Sequence, residues 1–388
     1  MGANQSYGQL GNGTHNQTNR PQQILASNVT AVAAGDNHSL FRKSDGSLWG
    51  MGDNSSDQLG LGSITSTNRP GESVTSNVVA IAAGDAFSLF LKNDGSLWAM
   101  GENFGGQLGN GTTGGSTLPT MIVASNVTAV AGGGAFSLFL KNDGSLWDMG
   151  INAYGQLGDG TYNQTNRPEQ IVASNVTAIA GGSFHSLFIK SDGSLWAMGY
   201  NGYGQLGDGT FNQTNLPEQI VASNVTAIAA GEWHSLFLKN DGSLWGMGSG
   251  GIPTPTNQPI QIVASGVIAI AAGSAGSTLF SKGDGSLWAM GTDLYGQLGD
   301  GRQNTVTFPE QILGPYNQIS SQPIGGGNLR LSFEGIAGTK YALDRSFSLA
   351  SPDWIPQVTN PANSFGALIF TNTPSPATNN FWRIRSVP

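Results

Sequence analysis

The segment Asp192-Gly193-Ser194-Leu195-Trp196 decides the fold of this chain of 388 residues, because the same five letters occur six times. The tryptophans of the six copies are Trp49, Trp98, Trp147, Trp196, Trp245 and Trp288. Successive copies are 49 residues apart four times and then 43 residues apart. A period of this length is typical of chains built from one repeated supersecondary unit.

Each repeat predicts four short strands. In the copy around Trp196 they are 175–182, 185–190, 194–199 and 216–222, and Ser191-Asp192-Gly193 forms a hairpin turn between the second and the third. Apolar residues stand on nearly consecutive positions, which is expected when both faces of a sheet are covered. Four strands in 40 to 50 residues indicate the blade of an all-β propeller. A β-solenoid is disfavoured because its rungs are much shorter, and a helical repeat because no apolar stripe of period 3.6 is present.

The repeat can be written AAG-x-x-HSL-x-L-K-x-DGSLW-x-MG-x-N-x-x-GQLGDGT, and it covers roughly residues 1–313. This pattern resembles the regulator-of-chromosome-condensation repeat. The stretch Gly231-Glu232-Trp233-His234-Ser235 is also similar to the propeller-type β-lactamase inhibitor proteins. The resemblance implies a β-propeller of six complete repeats.

The first residues of the chain align with the interior of a repeat. Met1-Gly2-Ala3-Asn4 matches Met149-Gly150-Ile151-Asn152, which belongs to a third strand. The first, second and third strands occur six times, whereas the fourth occurs seven times. We therefore expect a truncated seven-bladed ring with sequence missing upstream. The alternative is a gene that starts here and a six-bladed ring.

The repeat stops near residue 314. We predict a propeller over 1–314, a linker over 315–324 and a small β domain over 325–388. Tyr341 to Ser346, Trp354 and the closing Phe381-Trp382-Arg383-Ile384 resemble a small β-sandwich module at the C-termini of secreted bacterial proteins. The resemblance implies export.

Composition excludes several classes of function. The chain has no cysteine, so disulfides, thiol catalysis and cysteine-based zinc sites are excluded. The chain has no run of about 18 apolar residues, so no membrane-spanning helix is predicted. Residues 1–314 contain 21 acidic and 11 basic residues. Nucleic-acid binding depends on basic patches that neutralise phosphates, so we expect no nucleic-acid partner.

No catalytic set emerges from the repeat. His38, His185 and His234 occupy one position of the repeat, where other copies have Phe87 and Phe136. A residue that exchanges with phenylalanine is expected to pack or to bond a neighbouring loop. The aspartates of the Gly-Asp-Gly-Thr copies alternate with asparagine, so we assign them to loop structure and not to calcium binding. We predict no enzyme activity, no metal and no cofactor.

One face of the ring is the predicted binding surface. The loops between first and second strands leave from the same side of the ring as the long loops after third strands. The residues of these loops differ between repeats, whereas those of the DG turns on the other side are nearly the same in every repeat. Variable loops on a fixed scaffold commonly carry specificity, and exposed aromatic residues often anchor interfaces. The candidate residues are Trp233, Glu232, Phe184, Tyr154, Tyr203, Tyr295, Tyr162 and Phe211. Trp233 is the best single candidate.

Together these features predict a non-enzymatic, monomeric β-propeller that binds an unknown protein or glycan. We expect it to be secreted by a bacterium or held at the cell surface; this chain shows no signal peptide, and a cytoplasmic location stays open. The family resemblance implies an alternative, guanine-nucleotide exchange on a small GTPase. A third possibility is inhibition of an extracellular enzyme such as a β-lactamase.

Overall fold

The fold is all-β. The structure, a computed structural model, describes residues 2–4, 6–62 and 65–313, together with six strands that lie further along the chain. No helix occurs in these parts of the chain. In particular, nothing in them resembles a helix long and apolar enough to cross a membrane.

Residues 29–313 form six four-stranded sheets, the blades, numbered one to six along the chain. Blades one to three contain β1 (Val29–Ala34), β2 (His38–Lys43), β3 (Leu48–Gly52), β4 (Thr67–Val74), β5 (Val78–Ala83), β6 (Phe87–Lys92), β7 (Leu97–Gly101), β8 (Ser116–Val123), β9 (Val127–Gly132), β10 (Phe136–Lys141), β11 (Leu146–Gly150) and β12 (Thr165–Val172). Blades four to six contain β13 (Val176–Gly181), β14 (His185–Lys190), β15 (Leu195–Gly199), β16 (Thr214–Val221), β17 (Val225–Ala230), β18 (His234–Lys239), β19 (Leu244–Gly248), β20 (Thr256–Val263), β21 (Val267–Gly273), β22 (Ser277–Lys282), β23 (Leu287–Gly291) and β24 (Val306–Leu313).

Within each blade the four strands are antiparallel and lie in chain order. The C-terminal ends of all six first strands, with the short loops that follow them, line one channel of about 190 Å³. Small residues fill these positions because the inner strands of a propeller converge. The prediction of a propeller with six complete blades is confirmed.

The DG turn fixes the third strand of every blade by the same contacts. In blade four the Oδ1 atom of Asp192 accepts hydrogen bonds from the backbone N (2.9 Å) and Oγ (2.6 Å) of Ser194. The Ser194 Oγ in turn accepts the indole N–H of Trp196 at 2.9 Å. The Trp196 ring stacks on Phe188, with ring centroids 6.0 Å apart, and the Lys190 ammonium lies 4.0 Å from its centroid. Gly193 has φ of 77°, and a Cβ there would lie 2.8 Å from the backbone N of Asn224.

Neighbouring blades pack through apolar layers. Leu138 and Leu140 of blade three are buried against Phe188 and Met198 of blade four, and the same arrangement recurs between the other consecutive blades. The core is therefore a set of similar layers between blades.

The buried histidines link consecutive blades. The Nε2 atom of His185 lies 2.7 Å from the Ser235 Oγ of the next blade, and that hydroxyl donates to the Gln205 carbonyl at 2.8 Å. Because the hydroxyl proton is used there, the imidazole donates its Nε2–H. His38 and His234 make equivalent bonds, to Ser88 and Thr278. The sequence predicted that these histidines pack or bond a neighbouring loop, and the structure shows that each bonds a second-strand hydroxyl of the next blade.

Residues 2–4 and 6–24 form a further, shorter unit, here called the half-blade. Gly2 and Thr18 pair as the third and fourth strands of a blade do. Asn19 and Gly301 exchange two hydrogen bonds of 2.8 Å, which attach the half-blade to blade six. Gly13 donates to the Asn68 carbonyl at 2.8 Å, which attaches it to blade one. The half-blade therefore lies between blades six and one.

The C-terminal region contributes two three-stranded sheets. Their strands are β25 (Ile319–Pro323), β26 (Leu329–Glu334), β27 (Lys340–Ser346), β28 (Ile355–Pro361), β29 (Ala367–Asn372) and β30 (Phe381–Val387), in the orders β25-β26-β29 and β28-β27-β30. Strand β25 lies within the predicted linker, and Trp354 lies outside the described residues. The division into domains at 314 and 325 and the sandwich assignment stay predictions.

Candidate binding face

The loops of each blade divide between the two sides of the ring. Because the strands are antiparallel and consecutive, the short loops between first and second strands share a side with the long loops between third and fourth strands. We call this side the loop face. The DG turns lie on the opposite side.

The short loops form a hydrogen-bonded rim around the channel. Backbone N–H groups donate from one short loop to the next: Asp36 to Asp85, Asp85 to Gly134, and Gly134 to Gly182, at 3.2 to 3.3 Å. Ser183 continues the series to Gly231 at 3.3 Å. These hydrogen bonds fix the positions of the short loops, and of the residues beside them, relative to the blades.

Five aromatic residues of three blades meet on the loop face, and we call them the aromatic cluster. They are Tyr154 of blade three, Phe184, Tyr200 and Tyr203 of blade four, and Trp233 of blade five. The Trp233 ring stacks on Phe184 with centroids 5.5 Å apart and contacts Tyr203 at 4.8 Å. Tyr154 lies 4.9 Å from Tyr200 and 5.4 Å from Phe184. Four of the rings are partly buried, and Tyr203 is exposed.

Tyr200 was missed by the sequence reasoning. It is the first residue after the third strand of blade four, where other blades have Asp53, Glu102 and Ile151. Aligning the repeats would have marked this position as variable. Its place at the centre of the cluster depends on side-chain contacts between blades, which the alignment does not contain.

The long loop of blade five is shorter than those of the other blades. Ile252 takes the buried place that Leu206 of the GQLG loop has in blade four. The Gly251 carbonyl accepts the hydroxyl of Thr278, as the Gln205 carbonyl accepts that of Ser235. The shortened loop therefore keeps the contacts between blades while it lacks a counterpart of Tyr203.

Carboxylates surround the channel mouth beside the aromatic cluster. Glu232 directly precedes Trp233, and it interacts electrostatically with Asp36 and Asp85. Burial, together with the charges of Asp36, Glu232 and Glu102, which disfavour a further anion, raises the pKa of Asp85 to about 7. Burial also raises the pKa values of Glu232 and Glu102.

Three of the predicted site residues lie apart from the cluster. Tyr295 lines a cavity of about 220 Å³ with Tyr7 and Asn37. Tyr162 lines another, of about 320 Å³, in the long loop of blade three. Phe211 is 60% exposed in the long loop of blade four, without a ring contact to the cluster. The structure thus gathers Trp233, Phe184, Tyr154 and Tyr203, with Glu232 beside them.

Within the described ranges, His, Asp and Glu form no group of three or more that could hold a metal ion. The aspartates of the long loops bond their own loop instead. Asp208 accepts from the backbone N of Thr210 and from the Asn201 side chain, at 2.8 and 2.9 Å.

A family model for the RCC1-like domain matches residues 1–327. The chain belongs to the RCC1-like domain family. No curated protein matches its sequence.

Three solved structures share the fold of this chain. Human WBSCR16 is 25% identical, with a TM-score of 0.67 over 76% of this chain and 84% of that one. Prp20p from Saccharomyces cerevisiae, studied for its binding to Gsp1p and histones, is 23% identical, with a TM-score of 0.72 over 81% and 85%. Yeast RCC1 (Prp20) in complex with Kap60 is 22% identical, with a TM-score of 0.66 over 74% and 75%. For the yeast proteins this likeness concerns the fold alone.

Proposed function

We propose that this RCC1-like propeller is a non-enzymatic binding protein whose loop face takes a partner protein. The partner presents a basic side chain next to apolar ones. The observation that carries the proposal is the aromatic cluster, five rings of three blades in mutual contact at the edge of an acidic channel mouth.

The cluster has the properties of an interface anchor. Tyrosine and tryptophan dominate the binding energy of protein interfaces, where a few central residues contribute most of it. The rings are held by each other and by the hydrogen-bonded rim, so little side-chain freedom is lost when a partner binds. Tyr203 and the partly exposed Trp233 provide the accessible apolar surface.

The charge distribution favours a basic partner. Among the short and long loops of blades one to six, Arg302 is the one basic residue in the sequence. The lysines of the second strands lie near the DG turns, where each covers a tryptophan, as Lys190 covers Trp196. The guanidinium groups of Arg20, Arg69 and Arg167 lie against long loops. The short loops that form the rim combine their carboxylates with no basic residue, which steers positively charged surfaces toward the channel mouth.

The packing of the rings favours a protein over a glycan. One face of Trp233 is occupied by Phe184 at an interplanar angle of 27°, and Tyr203 is tilted against it at 53°. Sugar rings stack on a free, flat aromatic face, and the contacts with Phe184 and Tyr203 reduce the free face of Trp233. The ring edges of the aromatic cluster form an irregular surface, which suits contact with the side chains of a folded protein.

The test is quantitative capture of partner proteins by the full chain and by matched variants. We expect Trp233→Ala and Tyr203→Ala each to weaken binding of the captured partner at least tenfold, because they remove the central anchors. Tyr162→Ala and Phe211→Ala remove exposed aromatic residues outside the cluster and should leave binding within twofold. The readout is the dissociation constant measured with the purified partner.

Three outcomes would contradict the proposal. Equal losses from Tyr162→Ala and Trp233→Ala would place the interface elsewhere, and binding to a glycan array that Trp233→Ala abolishes would make the ligand a sugar. Faster nucleotide release from a small GTPase would establish exchange activity instead. Inhibition of a β-lactamase that Trp233→Ala removes would agree with the loop face and identify the partner as an enzyme.

We also propose that the protein acts as a monomer outside the cytoplasm. The location outside the cytoplasm rests on the resemblance of residues 325–388 to the C-terminal module of secreted bacterial proteins. Fractionation of the source cells, with size-exclusion chromatography of the secreted material, tests both points.

A further inference from the structure

The long loop of blade six differs from those of blades three and four at two polar positions. In blade four, the Asn201 side chain donates from Nδ2 to Asp208 at 2.9 Å, and the Thr210 hydroxyl donates to the same carboxylate at 2.8 Å. Blade three repeats both bonds, at 3.0 and 2.8 Å. In blade six, Asp293 stands at the position of Asn201 and Arg302 at that of Thr210. Both side-chain donors to the loop carboxylate are therefore replaced.

Asp293 keeps the backbone contact of the asparagine that it replaces. Its Oδ1 atom accepts the backbone N–H of Leu298 at 2.8 Å, as the Oδ1 atom of Asn201 accepts that of Leu206 at 3.0 Å. Since a carboxylate and a carboxamide have the same planar shape, the second oxygen of Asp293 takes the place of the amide nitrogen. An acceptor therefore stands where blades two, three and four have a donor.

Asp300, the counterpart of Asp208, faces this oxygen with a second carboxylate. Its Oδ1 atom accepts the backbone N–H of Arg302 at 2.7 Å. The Oδ2 atoms of Asp293 and Asp300 are both buried and have no hydrogen-bond partner. Asp293 is fully buried, and the side chain of Asp300 is 7% exposed. Two acceptor oxygens without a donor thus meet inside the loop.

Three charged groups surround this pair of acids. The Arg302 Nε atom is 4.0 Å from the Asp300 Oδ2 atom, but the Arg302 side chain is 62% exposed and bonds Glu310 at 3.4 Å. The Arg20 guanidinium of the half-blade lies against the same loop. Neither arginine donates a hydrogen bond to the two Oδ2 atoms. Burial and the Asp300 carboxylate raise the pKa of Asp293, although two backbone amides act in the opposite direction.

We propose that Asp293 and Asp300 form a binding site for a calcium ion in the long loop of blade six. Calcium takes oxygen ligands in irregular geometry, and carboxylates, backbone carbonyl groups and water all serve. The two Oδ2 atoms supply two ligands, and loop carbonyl groups and water complete the set. Magnesium is less suited, because it demands a near-ideal octahedron.

The aspartates of the other loops do not share this property. Asp159 and Asp208 each accept a hydrogen bond from an asparagine side chain, so their assignment to loop structure stands. Blade six is the exception because the asparagine is replaced by an acid. The site is separate from the aromatic cluster, and it does not depend on the proposed function.

Isothermal titration of the full chain with CaCl₂ at neutral pH tests the site. We expect one calcium ion per chain with a dissociation constant of about 0.1 to 1 mM, the range of sites with few charged ligands. Asp293→Asn restores the amide donor of the other blades and should weaken binding at least tenfold, and Asp300→Asn should do the same. The control Glu310→Gln removes an exposed carboxylate that contacts Arg302, and it should leave the dissociation constant within twofold.

Thermal unfolding provides a second readout. The wild-type midpoint should rise by at least ~2 °C in about 5 mM CaCl₂ relative to EDTA, whereas that of Asp293→Asn should not change. In EDTA, Asp293→Asn should unfold at a higher temperature than the wild type, because it removes one of two neighbouring buried acids.

The site should also be transferable to blade four. Asn201→Asp combined with Thr210→Arg gives that loop the two residues of blade six, opposite Asp208, and should raise the number of bound calcium ions from one to two.

The proposal is overturned if calcium leaves the wild-type midpoint unchanged. A stabilising Asp293→Asn would then show that the two acids share a proton instead of binding a cation. It is also overturned if Asp293→Asn and Glu310→Gln change calcium binding equally, since the ion would then lie elsewhere on the chain.

Discussion

At the scale of the residue, the three histidines of the repeat have a structural role in the contacts between blades. His38, His185 and His234 look like candidates for catalysis in the sequence, yet each is buried and donates to a hydroxyl of the next blade. Phe87 occupies the same place, and there Ser137 still donates to the Gln107 carbonyl. Histidine, phenylalanine and, in blade six, Ser277 thus occupy the same position of the repeat.

These histidines predict a loss of stability in acid. Burial lowers the pKa of His185 to about 3 and those of His38 and His234 to about 4, from an ordinary value of 6.5. Below pH 6.5 the unfolded chain binds protons that the folded chain does not, so the free energy of unfolding decreases as the pH falls toward 4, by roughly 1 kcal/mol per pH unit for each histidine. We expect His185→Phe to remove about a third of this slope.

The measurement is urea unfolding of the wild type and of His185→Phe at pH 7, 6 and 5. His15→Phe is the control, because His15 is exposed, and it should leave the slope unchanged. An unchanged slope for His185→Phe would show that its imidazole does not account for the acid sensitivity.

At the scale of the element, the third strands differ from one another at one buried position. Blade three has Asp148 there, whereas its counterparts are Gly50, Ala99, Ala197, Gly246 and Ala289. Neither carboxylate oxygen of Asp148 has a hydrogen-bond partner, and the side chain is fully buried. Burial raises the pKa of Asp148 well above its ordinary value, and Asp159 and Glu169 raise it further.

We expect Asp148→Ala to stabilise the protein by about 2 kcal/mol or more at pH 7, because it removes an unpaired buried carboxyl group. A raised pKa means that the folded chain holds a proton that the unfolded chain loses above pH 4. The wild type therefore loses stability as the pH rises, and the gain from Asp148→Ala should shrink when the pH is lowered to 4.

Chemical denaturation at pH 4 and pH 7 measures this difference. Ala99→Asp is the reciprocal variant, which places a carboxyl group at the same position of β7, and it should destabilise with the same dependence on pH. A destabilised Asp148→Ala would mean that the carboxyl group has a favourable role in the layer between the blades.

At the scale of the whole molecule, the ring was predictable and the site was predictable in part. The DGSLW period fixed the number of complete blades, and the antiparallel order of the strands assigned the loops to faces. Which loop residues meet depends on side-chain orientation across blades. Tyr200 and Phe184 are therefore neighbours of Trp233, while Tyr295 contributes to a separate cavity, and neither fact follows from the spacing of the repeats.

The acidic channel mouth predicts that binding of a cation depends on pH. With a pKa of about 7, Asp85 is mostly protonated at pH 6 and mostly ionised at pH 8. A cation is attracted to the ionised form, so the affinity for a tetralysine peptide should rise about threefold to tenfold from pH 6 to pH 8 at low salt. Titration calorimetry measures the change.

Asp85→Asn should abolish this rise, whereas Glu218→Gln, which removes an exposed charge from the fourth strand of blade four, should preserve it. Equal pH dependence in wild type and Asp85→Asn would assign the effect to another group and weaken the case for a basic partner.

The uniformity of the junctions between blades has a consequence for the history of the gene. Consecutive blades meet through similar side chains, since histidine or phenylalanine recurs in blades one to five and a serine, or Thr278 in blade six, recurs at the facing position. Unequal recombination between two copies of the repeat would delete or insert a whole blade and recreate a junction of the same kind. The number of repeats can then change until the ring has to close. Ring closure is therefore the step at which selection acts on the number of blades.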